Sequence, residues 1–116
     1  MRITITGFNI GPTKSFTNGP GISLYNFIKA ICGYADVSVF TALPAEERLI
    51  GVEYFRIGDT AKLREAIKDS DIVHHWSGID YRFKNVVKMA NDIGVKTICG
   101  PNVLDTVQID KESRYL

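Results

Sequence analysis

The sequence predicts an α/β fold: a three-layer, Rossmann-like domain around a mostly parallel sheet with strand order 3-2-1-4-5. Short β-branched runs alternate with amphipathic stretches along the 116 residues. A long Gly-rich segment separates the first strand from the first helix, as in many α/β domains that bind ligands. Right-handed crossovers between parallel strands then place the first strand at the centre of the sheet.

The first half of the chain predicts three strands and one helix. Residues 2–6 (RITIT) alternate and are rich in β-branched side chains, which favours a strand. After the Gly-rich segment, residues 7–21, apolar residues recur at helical spacing up to Cys32, and Gly33 is expected to end that helix. Two more strands are predicted, at residues 36–42 and 52–57.

The second half predicts two helices and two strands. Asp59 or Thr60 is expected to cap a helix over residues 61–68. Residues 77–80 lead into a helix of about 13 residues, which Gly94 is expected to end. The two strands are predicted at residues 71–76 (DIVHHW) and 95–99 (VKTIC). A single domain over residues 1–116 accommodates all of these elements.

Composition narrows the class of protein. A net charge of +1 lacks the basic excess of nucleic-acid-binding proteins. No apolar run approaches the roughly 20 residues of a membrane span, and the first residues do not resemble a signal peptide. Cys32 and Cys99 stand far apart in apolar runs, which predicts buried, unpaired thiols. We therefore expect a cytoplasmic protein.

Ligands of such sheets bind beyond the carboxyl ends of the strands, where the winding reverses. The Gly-rich segment, HHWSG (74–78) and GPN (100–102) should converge there. Gly11, Gly19 and Gly21 would let a ligand approach the backbone closely, and Gly21 would open a helix whose start favours a phosphate. Asn18 and Ser23 could add hydrogen bonds. The alternative is a surface loop whose glycines only form turns. Neither the dinucleotide fingerprint nor a Walker A loop is present.

The residues at the end of the fourth predicted strand, and the one that follows it, offer several kinds of chemistry. His74 and His75 should point to opposite faces of the sheet and are the only histidines, so no metal site is expected. Either one could meet a ligand, or one could pack under a helix. Trp76 suits core packing or a stacking wall equally. Ser77 lies in no nucleophile elbow, which argues against a catalytic triad.

The basic residues of the following helix indicate a solvated face. The less favoured alternative is contact with a phosphate-bearing acceptor or an anionic membrane surface. These residues are Arg82, Lys84 and Lys88.

The motifs together resemble the opening of a GT-B glycosyltransferase of the large retaining group numbered family 4. The first strand and Gly-rich loop are followed by GPGISLYNFIKAIC (19–32) and ADVSVFTA (35–42), in the family's order. DSDIVHHWSG (69–78) is similar to the family's DIVHvH segment, and GVKTICGPN (94–102) to its next strand. The resemblance covers residues 1–103 through the order and spacing of its motifs.

The resemblance implies sugar transfer from a nucleotide-sugar donor to an unidentified acceptor. The chain would be the N-terminal, acceptor-side domain, with Gly19, Pro20 and Gly21 near the donor diphosphate. His74 and His75 would line the reaction centre, and the acceptor side would include Trp76, Ser77 and Asn102. No metal or further cofactor is implied.

The C-terminal donor domain of that family is absent from these 116 residues. We therefore expect no transfer by this chain alone, and expect it to need a C-terminal domain or partner chain; self-association would be another use of an exposed sheet edge. The alternative function is a stand-alone, non-catalytic, Rossmann-like module that binds a nucleotide or phosphate.

Overall fold

The computed structural model of the protein describes residues 1–11, 19–76 and 86–100, with the backbone alone at residues 19 and 20. Five strands and three helices lie in these ranges. They are β1 (Arg2–Gly7), α1 (Gly19–Ile31), β2 (Asp36–Thr41), β3 (Glu53–Arg56), α2 (Thr60–Lys68), β4 (Ile72–His75), α3 (Val86–Ile93) and β5 (Lys96–Cys99).

The sheet has the order β3-β2-β1-β4-β5, and every neighbouring pair is parallel. This confirms the predicted fold class and strand order. β1 is paired on both sides: Thr6 lies opposite Phe40 of β2 and His75 of β4. The chain therefore winds from β1 towards β2 and β3, then returns across the sheet to β4, as in a doubly wound domain.

Alternation along the strands divides the core between two faces of the sheet. Ile5 and Val39 pack against Leu24 and Ile28 of α1 and are fully buried. Ala45 and Val52, from the connection between β2 and β3, complete this face. The opposite face holds a second cluster, in which Phe40 and Val73 of the strands pack beneath buried residues of α2 and α3. The helix residues are Leu63, Ile67, Val86, Met89 and Ala90. One helix on one face and two on the other make three layers.

The ends of the helices test the predicted capping residues and glycine stops. Of the two cap residues considered, Asp59 caps α2, because its Oδ1 accepts a hydrogen bond from the Lys62 N–H at 3.2 Å. Gly94 ends α3 with a φ of +94°, as predicted. α1 ends at Ile31, just before Gly33 as expected, but Gly33 has no positive φ and so does not form a left-handed glycine cap. Instead the Ile31 carbonyl accepts from the N–H groups of Tyr34 and Ala35.

Two further expectations concern the cysteines and the third helix. Cys32 is half-buried and Cys99 is exposed, so the prediction of buried thiols is wrong, chiefly because β5 lies at the sheet edge. The expected start of the third helix falls at residues 77–85, outside the described residues.

No helix in the described ranges is both long enough and apolar enough to cross a membrane.

Candidate functional site

The crevice between β1 and β4 lies where the winding of the sheet reverses. β1 runs to Gly7 and β4 to His75, and the Trp76 N–H continues the ladder by donating to the Thr6 carbonyl at 2.8 Å. On the far side of β4, the Gly100 N–H donates to the His75 carbonyl at 3.1 Å. The carboxyl ends of three neighbouring strands are thus held together at one edge of the sheet, which we call the carboxyl edge.

Helix α1 begins directly beside the end of β1. The Gly11 N–H donates to the Gly21 carbonyl at 2.8 Å, so the base of the Gly-rich segment is closed by a backbone hydrogen bond. Gly11 has a φ of +66°, a conformation that favours glycine. The buried Asn9 side chain donates to the Gly11 carbonyl at 3.2 Å and supports this turn.

Asn9 is a structural residue of the site that sequence reasoning missed. Asparagine followed two residues later by glycine is a turn signal, because an Asn side chain readily bonds the backbone two residues on. That signal was available in FNIG (8–11).

Gly7 sets how closely α1 approaches the sheet. A Cβ atom at Gly7 would lie 3.1 Å from Leu24 Cδ2 and 3.7 Å from Trp76 Cβ. A side chain there would therefore push α1 away from the end of β1. The absence of one at Gly7 lets the helix start sit over the crevice.

The start of α1 favours a negatively charged ligand. Gly21 is buried, Ser23 is exposed, and the first turn carries no acidic residue. The N–H groups of a first helical turn give it a partial positive charge, which attracts anions. Gly19 and Pro20 belong to this turn by their backbone, whereas Asn18 lies outside the described residues.

His74 lies on the face of the sheet that carries α1. Its Nε2 is 3.0 Å from the Gly100 carbonyl oxygen, and its ring meets Phe27 edge-on at a centroid distance of 5.4 Å. Burial lowers the pKa of His74, an effect that its hydrogen bond to Gly100 partly offsets. The imidazole is therefore neutral at pH 7.

His75 points to the opposite face, as the alternation of a strand requires. It is fully buried, and its Nδ1 lies 2.6 Å from Thr6 Oγ1, on the neighbouring strand. The two histidines are thus separated by the sheet and do not share one site. His74 is half-buried at the carboxyl edge and can be reached from solvent; His75 is enclosed by the core.

Trp76 is 7% exposed and belongs to the core on the α1 face. Its ring lies 5.1 Å from the Phe27 ring and 5.2 Å from the His74 ring, centroid to centroid. Of the two roles considered, core packing describes it, and its ring supports those of Phe27 and His74. The remaining residues predicted for the acceptor side, Ser77 and Asn102, lie outside the described residues.

The end of β2 argues against a dinucleotide site. Dinucleotide-binding domains place an acidic residue there for a ribose hydroxyl. Here β2 ends at Thr41, whose hydroxyl donates to the Leu43 carbonyl, and Ala42 accepts from the Arg56 guanidinium at 2.7 Å. No carboxylate occupies this position.

A cavity of about 340 Å³ opens at the other end of the sheet, beside α2. Its walls carry charges of both signs, and Arg2 and Asp69 lie 3.7 Å apart. Asp36, Ser38 and Glu53 alternate with residues that pack on the α1 face, so this hollow is a solvated part of the sheet. It shares no residue with the carboxyl edge.

Within the ranges 1–11, 19–76 and 86–100, no group of three or more His, Cys, Asp and Glu side chains is placed to hold a metal ion. No protein-family model matches the chain, and neither curated proteins nor solved structures gave a match.

Proposed function

We propose that the carboxyl edge of the sheet binds a phosphate-bearing ligand, and that the chain is the acceptor-side domain of a nucleotide-sugar-dependent glycosyltransferase. One observation carries the proposal. The Gly11–Gly21 hydrogen bond fixes the start of α1 against the end of β1, at the point where the winding of the sheet reverses. Doubly wound domains bind their ligands at this point.

The phosphate part of the proposal rests on charge and backbone. The first turn of α1 has no carboxylate, and Gly7 and Gly11 let that turn lie close to the end of β1. No lysine or arginine lies among residues 7–11, 19–23 and 74–76. A diphosphate carries more charge than one helix dipole balances, which favours additional cationic groups from another domain.

The glycosyltransferase part rests on the order of the motifs. The Gly-rich segment, the β4 histidines and the residues after β5 follow one another as in the family that the sequence resembles. The missing carboxylate at the end of β2 is consistent with a ligand other than a dinucleotide.

A stand-alone, non-catalytic phosphate-binding module is the second candidate. It is supported by α1 and its closed loop base alone, without any role for His74. The two candidates differ in affinity. An acceptor-side domain tested without a donor domain should bind a nucleotide sugar with a dissociation constant no lower than about 1 mM. A binding module should have a dissociation constant in the micromolar range. The two free energies of binding then differ by about 4 kcal/mol.

The phosphate contact is tested with a matched pair of substitutions at the exposed Ile22, in the first turn of α1. Ile22→Asp and Ile22→Asn have nearly the same shape and differ in charge. Titration calorimetry with pyrophosphate and with UDP-glucose should show binding by the wild type. The Ile22→Asp variant should bind pyrophosphate about tenfold more weakly than the Ile22→Asn variant, because its carboxylate repels the phosphate at short range.

An Asp in the first turn also favours the helix, so weaker binding would not reflect a destabilised fold. Equal affinities of the two variants for pyrophosphate would overturn the phosphate contact. The lack of any binding by the wild type would do the same. Tight, micromolar UDP-glucose binding by this chain alone would favour the second candidate over the first.

A further inference from the structure

Arg56 is the last residue of β3 and lies in line with the end of β1. Because every strand is parallel, the end of β3 belongs to the carboxyl edge. In the register of the sheet, Gly7 lies opposite Thr41, and Thr41 lies opposite Arg56. Two strand spacings separate β1 from β3, so the Cα atoms of Gly7 and Arg56 are about 10 Å apart. A small ligand bound beside β1 can therefore extend to Arg56.

The side chain of Arg56 leaves the sheet on the face that carries α1. Strand alternation gives Arg56 the same face as Tyr54, which packs against the hydrophobic cluster beneath α1. Phe55, between them, packs with the cluster of α2 and α3 on the opposite face. Arg56 and the start of α1 thus share both the face and the edge of the sheet.

Two hydrogen bonds connect the Arg56 guanidinium to the end of β1. Its Nη2 donates to the Ala42 carbonyl at 2.7 Å, and the Ala42 N–H donates to the Gly7 carbonyl at 3.3 Å. Helix α1 borders the same place, since a Cβ atom at Gly7 would lie 3.1 Å from Leu24 Cδ2. A continuous series of contacts therefore joins Arg56, the end of β1 and α1.

The charge of the Arg56 guanidinium is not neutralised by the described residues. The Ala42 carbonyl is its only hydrogen-bond partner among them, and none of their carboxylates lies within ion-pair distance of it. The side chain is exposed. A backbone carbonyl orients a guanidinium but carries no full charge to balance it. An oriented, unpaired guanidinium is suited to binding a phosphate or a carboxylate.

We propose that Arg56 binds a second anionic group, a phosphate or a carboxylate, of the ligand held at the carboxyl edge. This inference rests on the proposed phosphate site at α1, which would hold the first anionic group. A sugar phosphate with an anionic group at each end is then a better ligand than a sugar with one phosphate.

Titration calorimetry with three ligands tests the role of Arg56: glucose 1-phosphate, glucose 1,6-bisphosphate and glucuronic acid 1-phosphate. The proteins are the wild type, Arg56→Gln, Arg56→Lys and Arg64→Gln. Arg64→Gln is the matched control, because it removes the same charge from an exposed position of α2, on the opposite face of the sheet. Urea denaturation establishes that each variant is folded.

We expect the wild type to bind one or both of the doubly anionic ligands about fivefold to tenfold more tightly than glucose 1-phosphate, the effect of one exposed, charge-assisted contact. Arg56→Gln should remove this preference, Arg56→Lys should keep part of it, and Arg64→Gln should keep all of it. The ligand that is preferred identifies the second group as a phosphate or a carboxylate.

The salt dependence of the wild type gives a readout that does not depend on the folding of any variant. The preference for the doubly anionic ligand should decrease as the salt concentration rises, because an exposed ion pair is screened. A preference that salt leaves unchanged would contradict a charge contact at Arg56.

Two further results would overturn the inference. One is equal affinity of the wild type for all three ligands; binding of glucose 1-phosphate would then leave the phosphate site at α1 standing without Arg56. The other is an equal loss of the preference in Arg56→Gln and Arg64→Gln, which would indicate an effect of net charge alone. A wild type that binds none of the three ligands would refute the proposed function together with this inference.

Discussion

At the scale of single residues, the carboxyl edge depends on small side chains and on one neutral imidazole. Gly7 lets α1 approach β1, and Gly11 makes the turn that carries the hydrogen bond to Gly21. His74 is held by a backbone carbonyl and by two aromatic rings rather than by a charged partner. Packing and burial, more than ion pairs, therefore position these groups.

Substitution of Gly7 should destabilise the protein through overpacking. The Cβ of Gly7→Ala would meet Leu24 Cδ2 at 3.1 Å, and the larger Gly7→Val should cost about 1–3 kcal/mol of the free energy of unfolding. Urea denaturation measures this. Gly33→Ala is the control, because its Cβ would meet nothing within 4 Å and its φ is not positive. Equal stabilities of Gly7→Val and Gly33→Ala would contradict the close approach.

The pH dependence of stability should carry a contribution from His74. Burial holds its pKa in the folded protein below the ordinary value of 6.5, so the unfolded chain binds this proton more readily. The contribution is therefore complete above pH 6.5 and is lost as the pH falls through the lower, folded-state pKa. Urea denaturation at pH 7.5 and at lower pH should show a smaller loss of stability in His74→Gln than in the wild type. The same loss in both proteins would refute this assignment.

At the scale of elements, short helices depend on their ends. α2 has only nine residues, of which Leu63 and Ile67 are the ones buried against the sheet. Two anchoring side chains leave the direction of the helix to be set by its first turn. That turn is fixed by Asp59, whose carboxylate accepts from Lys62. α1, with thirteen residues and a larger buried face, has less need of such a cap.

Removal of the α2 cap should lower stability measurably. Asp59→Ala leaves the Lys62 N–H without its side-chain acceptor and should cost about 1 kcal/mol of the free energy of unfolding. Asp59→Asn keeps a capping oxygen and should cost only a few tenths of a kcal/mol. Thermal or urea denaturation at pH 7 compares the two. A loss for Asn as large as that for Ala would show that charge, rather than capping, explains the effect.

At the scale of the whole molecule, the centre and the edges of the sheet differ in character. β1 is paired on both sides, and its residues 4–7 are buried. β5 is paired in the described residues only with β4; Lys96, Ile98 and Cys99 are exposed. β3 forms the other edge. The sheet therefore has a core of three strands with less protected strands on either side.

Hydrogen exchange should reproduce this order. Amide protons of β1 and β4 that face a neighbouring strand should exchange only through global unfolding, because both strands lie inside the sheet. Those of β5 should exchange faster by local opening. Exchange measured by NMR at pH 7 tests the ranking. Protection of the β5 amides equal to that of β1 would indicate that the edge is covered in solution.

The sequence by itself determined the sheet. The strands and helices were predicted from local periods, such as the alternation in RITIT and the helical spacing before Cys32, which do not depend on tertiary contacts. The strand order β3-β2-β1-β4-β5 then followed from the handedness expected of parallel crossovers. It also placed His74 and His75 on opposite faces, because that depends only on the period of a strand.

Only the tertiary structure decided what each residue contacts. The exposure of Cys99 depends on β5 being an edge strand, and the ending of α1 without a left-handed glycine cap depends on the turn made by Tyr34 and Ala35. The pairing of Nε2 with the Gly100 carbonyl, across 26 residues, could not be read from a local pattern. Periodicity specifies faces and directions within one element, whereas a site is formed by neighbours from several elements, which are known only once the chain has folded.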